Sequence, residues 1–247
     1  MQRFKLIIEY DGRPFCGWQR QKESPSVQAT VEDALLNLNG GERVVVHGSG
    51  RTDAGVHALA QVAHIDLARE ISPEKLQGAI NSGMKGQPVS VLSVEAVDDD
   101  FHARFSAVRR HYVYRVKSRR SPLTFDQGLV WGVRHPLDVD RMHEAAQVLV
   151  GQHDFTTFRH IHCQAKSPVK TMDYLTVKQV GSEIHICAGA RSFLHHQIRS
   201  ITGTLKLVGA GKWSKNDVKE ALEARDRSAL KLNAPPDGLY FKQVEFG

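Results

Sequence analysis

The periodicity of apolar residues writes one order of elements, β-α-β-β-α-β, twice along this chain, and that duplication is the strongest limit on its fold. In the first half, alternating Phe4, Leu6, Ile8 and Tyr10 predict a strand that stops at the turn signal Asp11-Gly12. Ser26 is placed to cap a helix with the stripe Val27, Val31, Ala34, Leu35 and Leu38, ended by Gly40-Gly41. Strands are expected over 43–46 and 57–67, a helix after Ser72-Pro73, and a strand over 89–97. The second half repeats the order. It has a strand over 111–117, and a helix over 138–150 with Met142, Ala145, Ala146 and Leu149 inward and Gly151 after it. Strands over 172–180 and 184–188 follow. Ile198, Ile201, Leu205 and Val208 mark a helix, Ser214 to Asp217 resembles the capping box of another, and a strand over 239–246 closes the chain. Each half resembles a ferredoxin-type split unit. The expected fold class is therefore α+β, two ferredoxin-like halves with antiparallel sheets joined side by side around a central cleft. The halves are expected at 1–105 and 106–247, with the boundary between Asp98 and Arg110.

At 247 residues, 41% hydrophobic and 24% charged, the chain has the composition of a globular protein with a sizeable core. Apolar runs such as Leu6-Ile7-Ile8 are far short of the roughly 20 residues that span a bilayer, so no membrane partner is expected. Charges interrupt the first apolar segment, which argues against a secretory signal and for a cytoplasmic location. Cys16, Cys163 and Cys187 are widely spaced and form no C-x-x-C pair, so neither a disulfide framework nor a cysteine zinc site is suggested. The 33 Lys and Arg against 27 Asp and Glu give a net charge of +6, which favours a polyanionic partner.

The segment GSGRTDAGVHA at 48–58 is the first candidate for chemistry. Its glycines permit positive φ and close approach of a ligand to the backbone, and they surround one arginine, Arg51, and one carboxylate, Asp53. A tight turn in which Asp53 bonds its own backbone has the same local pattern. The segment lacks the Gly-Lys-Ser/Thr end of a P-loop and the dinucleotide fingerprint, so nucleoside triphosphate use is unsupported. Between 104 and 120 stand Arg104, Arg109, Arg110, Arg115, Lys117, Arg119 and Arg120 without a carboxylate, interleaved with Phe105, Tyr112 and Tyr114. That is the composition of a phosphate track beside stacking rings, and equally of a strand with a core-facing Tyr pair and a solvated basic face. The pairs His160/His162 and His195/His196 lack a third ligand at a recognised spacing, so no metal is expected. Arg199, on the polar side of an apolar helix stripe, is either a surface charge or a cation carried toward the cleft to meet an anion.

These segments together resemble one family. GSGRTDAGVHA, YDGRPFCGWQRQ at 10–21, FHARFSA at 101–107, RRHYVYRV at 109–116, HDFTTFR at 153–159, FLHHQIRSITG at 193–203 and GLYF at 238–241 are similar, in order, to the TruA family of tRNA pseudouridine synthases. The resemblance implies an isomerase that converts uridine to pseudouridine at positions 38, 39 and 40 of the tRNA anticodon stem-loop. It implies a homodimer with no cofactor and no metal. It places Asp53 at the catalytic aspartate, Arg51 at the loop arginine associated with extruding the nucleotide, and Arg199 at the arginine that pairs with the aspartate. Tyr112 falls on the tyrosine that stacks on the target base, Leu239 on a hydrophobic pocket position, and Arg110 beside Tyr112 is expected to contact substrate. Ala60 stands where many members have Gly, and Lys170 where Arg is frequent. The rival expectation is a tRNA-binding protein or chaperone of the same fold without chemistry.

Overall fold

The computed structural model describes residues 1–230 and 232–247. Its architecture is α+β, with ten strands and five α-helices among the described residues. It divides into two compact units, residues 1–108 with 241–247, and residues 109–240, so that both divisions fall inside strands.

The first unit contains β1 (Gln2–Tyr10), α1 (Val27–Leu36), β2 (His47–Gly48), β3 (His57–Leu67), α2 (Pro73–Gly83) and β4 (Val89–Val97). Its sheet runs β4-β1-β3 with all neighbours antiparallel, and the short β2 pairs with β3. That is the strand order of a split β-α-β unit. The alternation read from the sequence is the burial pattern observed: Phe4, Leu6 and Ile8 are buried, as are Val27, Val31 and Leu35 of α1 and Leu76 and Ile80 of α2. Ser26 and Ser72 cap the helices by accepting from Ala29 N–H and Lys75 N–H.

One expected strand is corrected. Residues 43–46 form no ladder, and the strand is confined to His47–Gly48. The valines are apolar enough for a strand, and Val44 and Val46 are indeed buried. Helix α1 supplies the bonds a ladder would have made. Val46 N–H donates to Glu32 Oε1 (3.2 Å), and the Val46 carbonyl accepts from Gln28 Nε2 (3.1 Å). Side chains of one helix thus satisfy a buried extended segment.

The second unit is built on β5 (Ala107–Ser118), β6 (Trp131–Val133), α3 (Val139–Ala146), β7 (Gly151–Asp154), β8 (Val169–Val180), β9 (Glu183–Ala190), α4 (Gln197–Gly209) and α5 (Lys215–Ala224). Its sheet runs β5-β9-β8-β7, antiparallel throughout, with β6 parallel to β5. Met142, Ala145 and Leu149 are buried as expected, although the helix ends at Ala146 and a 3-10 turn carries Leu149. Ser214 and Asp217 form the reciprocal capping box of α5. The last strand, β10 (Leu239–Phe246), begins in the second unit and ends in the first, where it runs beside β3.

Candidate functional site

The loop between β2 and β3 is fixed from three sides by its own unit. From β3, Gln61 accepts from Ser49 Oγ (2.7 Å) and donates through Nε2 to the Gly50 carbonyl (3.0 Å), while Ser49 N–H bonds Val62 O. From the end of β1, Tyr10 OH meets Thr52 Oγ1 at 2.8 Å, and burial keeps that phenol protonated far above neutral pH. From the segment after β1, Trp18 N–H donates to Thr52 O and the Phe15 carbonyl accepts from Gly55 N–H.

Glycine is required on both sides of this frame. Gly17 has φ +102°, and a Cβ there would collide with the Thr52 carbonyl. A Cβ at Gly48 would lie 2.5 Å from the Trp18 indole nitrogen. Tyr10, Phe15, Gly17 and Trp18 of the run YDGRPFCGWQRQ thus form the outer wall of the loop. Asp53 is half-buried on the loop, and its carbonyl accepts from Val56 N–H to close the turn. Arg51, two residues earlier, is exposed and makes no hydrogen bond or ion pair with a described residue.

In the second unit, Arg199 sits in the first turn of α4, half-buried. Its Nε donates to the Ala234 carbonyl (2.9 Å) and its Nη1 to His196 Nε2 (3.0 Å). His196 holds the left-handed conformation (φ 63°) as the N-cap of α4, and burial, with Arg199 beside it, pushes its pKa down to about 3. The imidazole is therefore neutral and accepts from the guanidinium. Tyr114 OH donates to the adjacent Pro235 carbonyl (2.7 Å), so β5 and α4 both grip residues 234–235. A Cβ at Gly238 would meet the Arg115 carbonyl and lie 2.6 Å from the Tyr114 ring, which brings the chain close to β5 just before Leu239. Leu239 is buried. Tyr112 is half-buried, its ring edge-on to Phe193 at 5.0 Å, and Arg110 donates to the Arg191 carbonyl at 2.7 Å. Tyr112 and Tyr114 thus part company. Tyr114 is a core residue with a satisfied hydroxyl, and Tyr112 keeps part of its ring accessible.

The model of the tRNA pseudouridine synthase family matches residues 6–106 and 145–247. The chain belongs to the tRNA pseudouridine synthase family. It is 56% identical over 246 residues to tRNA pseudouridine synthase A of Maricaulis maris, covering 100% of this chain and 98% of that protein. It is 58% identical over 244 residues to tRNA pseudouridine synthase A of Rhodospirillum centenum, covering 99% of each. A solved Cbf5-Nop10-Gar1 complex contains a chain that aligns with 82% of this one and 54% of its own length, at 11% identity and a TM-score of 0.32, too low to carry an argument. As a family member the chain is an isomerase that acts on tRNA. Among the described residues, no helix is long and apolar enough to cross a membrane.

The basic run of this pseudouridine synthase is less available for phosphates than its composition promised. Arg115 makes a bidentate pair with Glu183 (2.8 and 2.9 Å), Lys117 meets Asp126 at 2.5 Å and Arg109 meets Asp173 at 2.7 Å. Each carboxylate comes from outside the run. Arg119 and Arg120 remain exposed. No spacing marks His196 as the support of Arg199, because adjacent histidines such as His195-His196 read only as possible metal ligands.

Proposed function

We propose that the chain isomerises uridine to pseudouridine at positions 38, 39 and 40 of the tRNA anticodon stem-loop, with Asp53 as the nucleophile. The observation that supports this most is the frame of the Asp53 loop. A turn that merely reversed the chain would not need a buried Gln61, a buried Tyr10 and a positive-φ Gly17 to hold a half-buried carboxylate in one place. The reaction breaks the C1′–N1 bond, turns the uracil, and joins C1′ to C5, while C5 gives up a proton and N1 gains one. The carboxylate can act by attack on C1′, by addition to C6, or by removal of the C2′ proton, and all three begin from Asp53.

The target base is stacked in RNA and must be flipped out, at a cost of a few kcal/mol. Tyr112 is proposed to stack on it, Arg51 to assist extrusion, and Arg199 to act as the cation for the carboxylate. Leu239 is assigned to the base pocket and Arg110 to a substrate contact. The two halves read from the sequence, 1–105 and 106–247, divide these roles, with the aspartate loop in one and the tyrosine and arginine in the other. The active form is proposed to be a cytoplasmic homodimer that takes the anticodon arm without cofactor or metal.

Tritium release from 5-labelled uridine in tRNA transcripts with uridine at only one of positions 38, 39 and 40 tests the reading. Asp53→Ala is expected to fall to background at all three while still binding tRNA. Release by Asp53→Ala at the wild-type rate would end the nucleophile assignment, and release from other positions would end the site assignment. For Tyr112→Ala a larger loss in turnover than in affinity is expected, because one stacking contact is worth about 1–3 kcal/mol among many phosphate contacts.

A further inference from the structure

Histidines of the first unit converge on the stem of the hairpin whose tip is the Asp53 loop. His47 opens β2, His64 lies opposite it in register on β3, and Lys5 on β1 is the register partner of His64. Directly paired residues share a sheet face, so the three side chains form a row across β1, β3 and β2. His102, after β4, closes on that row. Its ring lies 4.6 Å from that of His64 and 5.9 Å from that of His47, and the His47 and His64 rings stack at 4.8 Å. One ring nitrogen from each of the three histidines comes within 4.8 Å of the other two.

That spacing would suit a metal ion, but the protons are in the wrong places. His64 Nδ1 accepts from Ala103 N–H (3.2 Å), and His102 Nδ1 accepts from Arg104 N–H (3.1 Å) and Phe105 N–H (3.4 Å). A neutral imidazole has one donor and one acceptor nitrogen, so Nε2 of each ring carries the proton and has no lone pair for a metal. Metal-bound histidines instead donate from the nitrogen that does not ligate. Among the described residues, neither Nε2 has a hydrogen-bond partner. The surrounding charge points the same way. Arg3 and Lys5 from β1, His47 from β2, and His102 and Arg104 from the segment after β4 are arrayed around His64. Asp66 of β3 and Glu95 of β4 are already paired with Arg3 and Lys5. Burial, followed by the neighbouring imidazoles and Arg3, pushes the His64 pKa down to about 4. Burial disfavours any ion there, while the positive charge of Arg3 and Arg104 tips the balance against a divalent cation and toward an anion.

We propose that His47, His64, His102 and Arg104 form a binding site for a phosphodiester of the tRNA backbone, with Nε2–H of His64 and His102 as donors. The proposal rests on tRNA as substrate. Its position fits a chain of nucleotides that leads to the loop, since β3 runs about 20 Å from His57 at the loop's end to His64. Phe105, 73% exposed, stands 4.3 Å from the His102 ring with the Arg104 guanidinium 5.7 Å from its own, a platform for a ribose or base next to the phosphate.

Histidine-ring 1H–15N correlations on labelled protein, titrated with inorganic phosphate, test the site without RNA or turnover. The expected result is the Nε2-protonated form of His64 and His102, a saturable shift of both with phosphate, and no response to Zn2+. Binding of a tRNA transcript tests the RNA claim. His102→Leu, and His47→Ala at an exposed position that does not threaten folding, are expected to bind about three- to tenfold more weakly at pH 6.5. Rings that ignore phosphate, a joint response of the three rings to Zn2+, or wild-type affinity in both variants at pH 6.5 would each overturn the proposal. Failure of the tRNA reading itself appears separately, as absent tritium release by the wild-type protein.

Discussion

In the first unit the loop that bears Asp53 is pressed against glycine, with the Thr52 carbonyl on Gly17 and bonded to Trp18 N–H, and it is tied by the uncharged side chains of Gln61 and Tyr10. In the second unit Arg199 and Tyr114 reach out with their own side-chain donors to the carbonyls of residues 234 and 235, and Arg115 is held by a carboxylate. The first kind of frame fails on an added carbon at Gly17 or Gly48, and its hydrogen bonds involve no charged side chain. The second yields in proportion to the hydrogen bond lost, and it titrates.

The largest expected effect is at Gly17. Gly17→Ala must place a Cβ against the Thr52 carbonyl at a φ that L residues avoid, which is expected to cost about 2–4 kcal/mol in urea unfolding and to lower tritium release more than tenfold. A loss below about 0.5 kcal/mol would mean that the first frame is soft and the contrast false.

Next comes the Arg115–Glu183 pair. Two Arg115 hydrogen bonds bring the Glu183 pKa down to about 2 from 4.5. A depressed carboxylate contributes stability that is complete above the unfolded value and lost as pH falls from about 4.5 to about 2. The difference amounts to at most about 3 kcal/mol, less with solvent screening. Glu183→Gln is expected to flatten that part of the acid unfolding profile, and an unchanged profile would remove charge from the account of the second unit. His64 in the first unit and His196 in the second also have depressed pKa values, so their share is complete above pH 6.5 and falls as pH drops toward 4 and 3.

The smallest effect is at Tyr114. Tyr114→Phe deletes one donor and leaves the Pro235 carbonyl unpaired, for about 1 kcal/mol in the same unfolding measurement. A loss as large as that of Gly17→Ala would show that the second frame is as brittle as the first.

Elements whose bonds are local were legible in the sequence. The caps at Ser26, Ser72 and Ser214 and the alternation of β1 depend on neighbours within four residues, and they stand where periodicity put them. The strand expected over 43–46 failed because Gln28 and Glu32 on a preceding helix decide where the bonds of Val46 go. β7 is not legible because its four residues, which begin at Gly151, show no alternation to mark them. The basic run misled for a related reason, since Asp126, Asp173 and Glu183 are separated from it in the chain. At the site, the glycines around Asp53 announced a special turn. The need for Gly17 and Trp18 outside that turn was visible only as a motif that accompanies it. The trio of His47, His64 and His102, 17 and 38 residues apart, has no spacing signature at all.

The first unit joins residues 1–108 to 241–247 across the whole of the second, and Phe241, buried in its core, lies 3.1 Å from where a Cβ on Gly50 would stand. During synthesis this unit therefore waits for the entire second unit to be made, on the order of 10 s at ordinary elongation rates. The loop between β2 and β3 lacks the Phe241 backing until residue 241 leaves the ribosome. A chain cut short before residue 241 is consequently without the Phe241 contact of that loop.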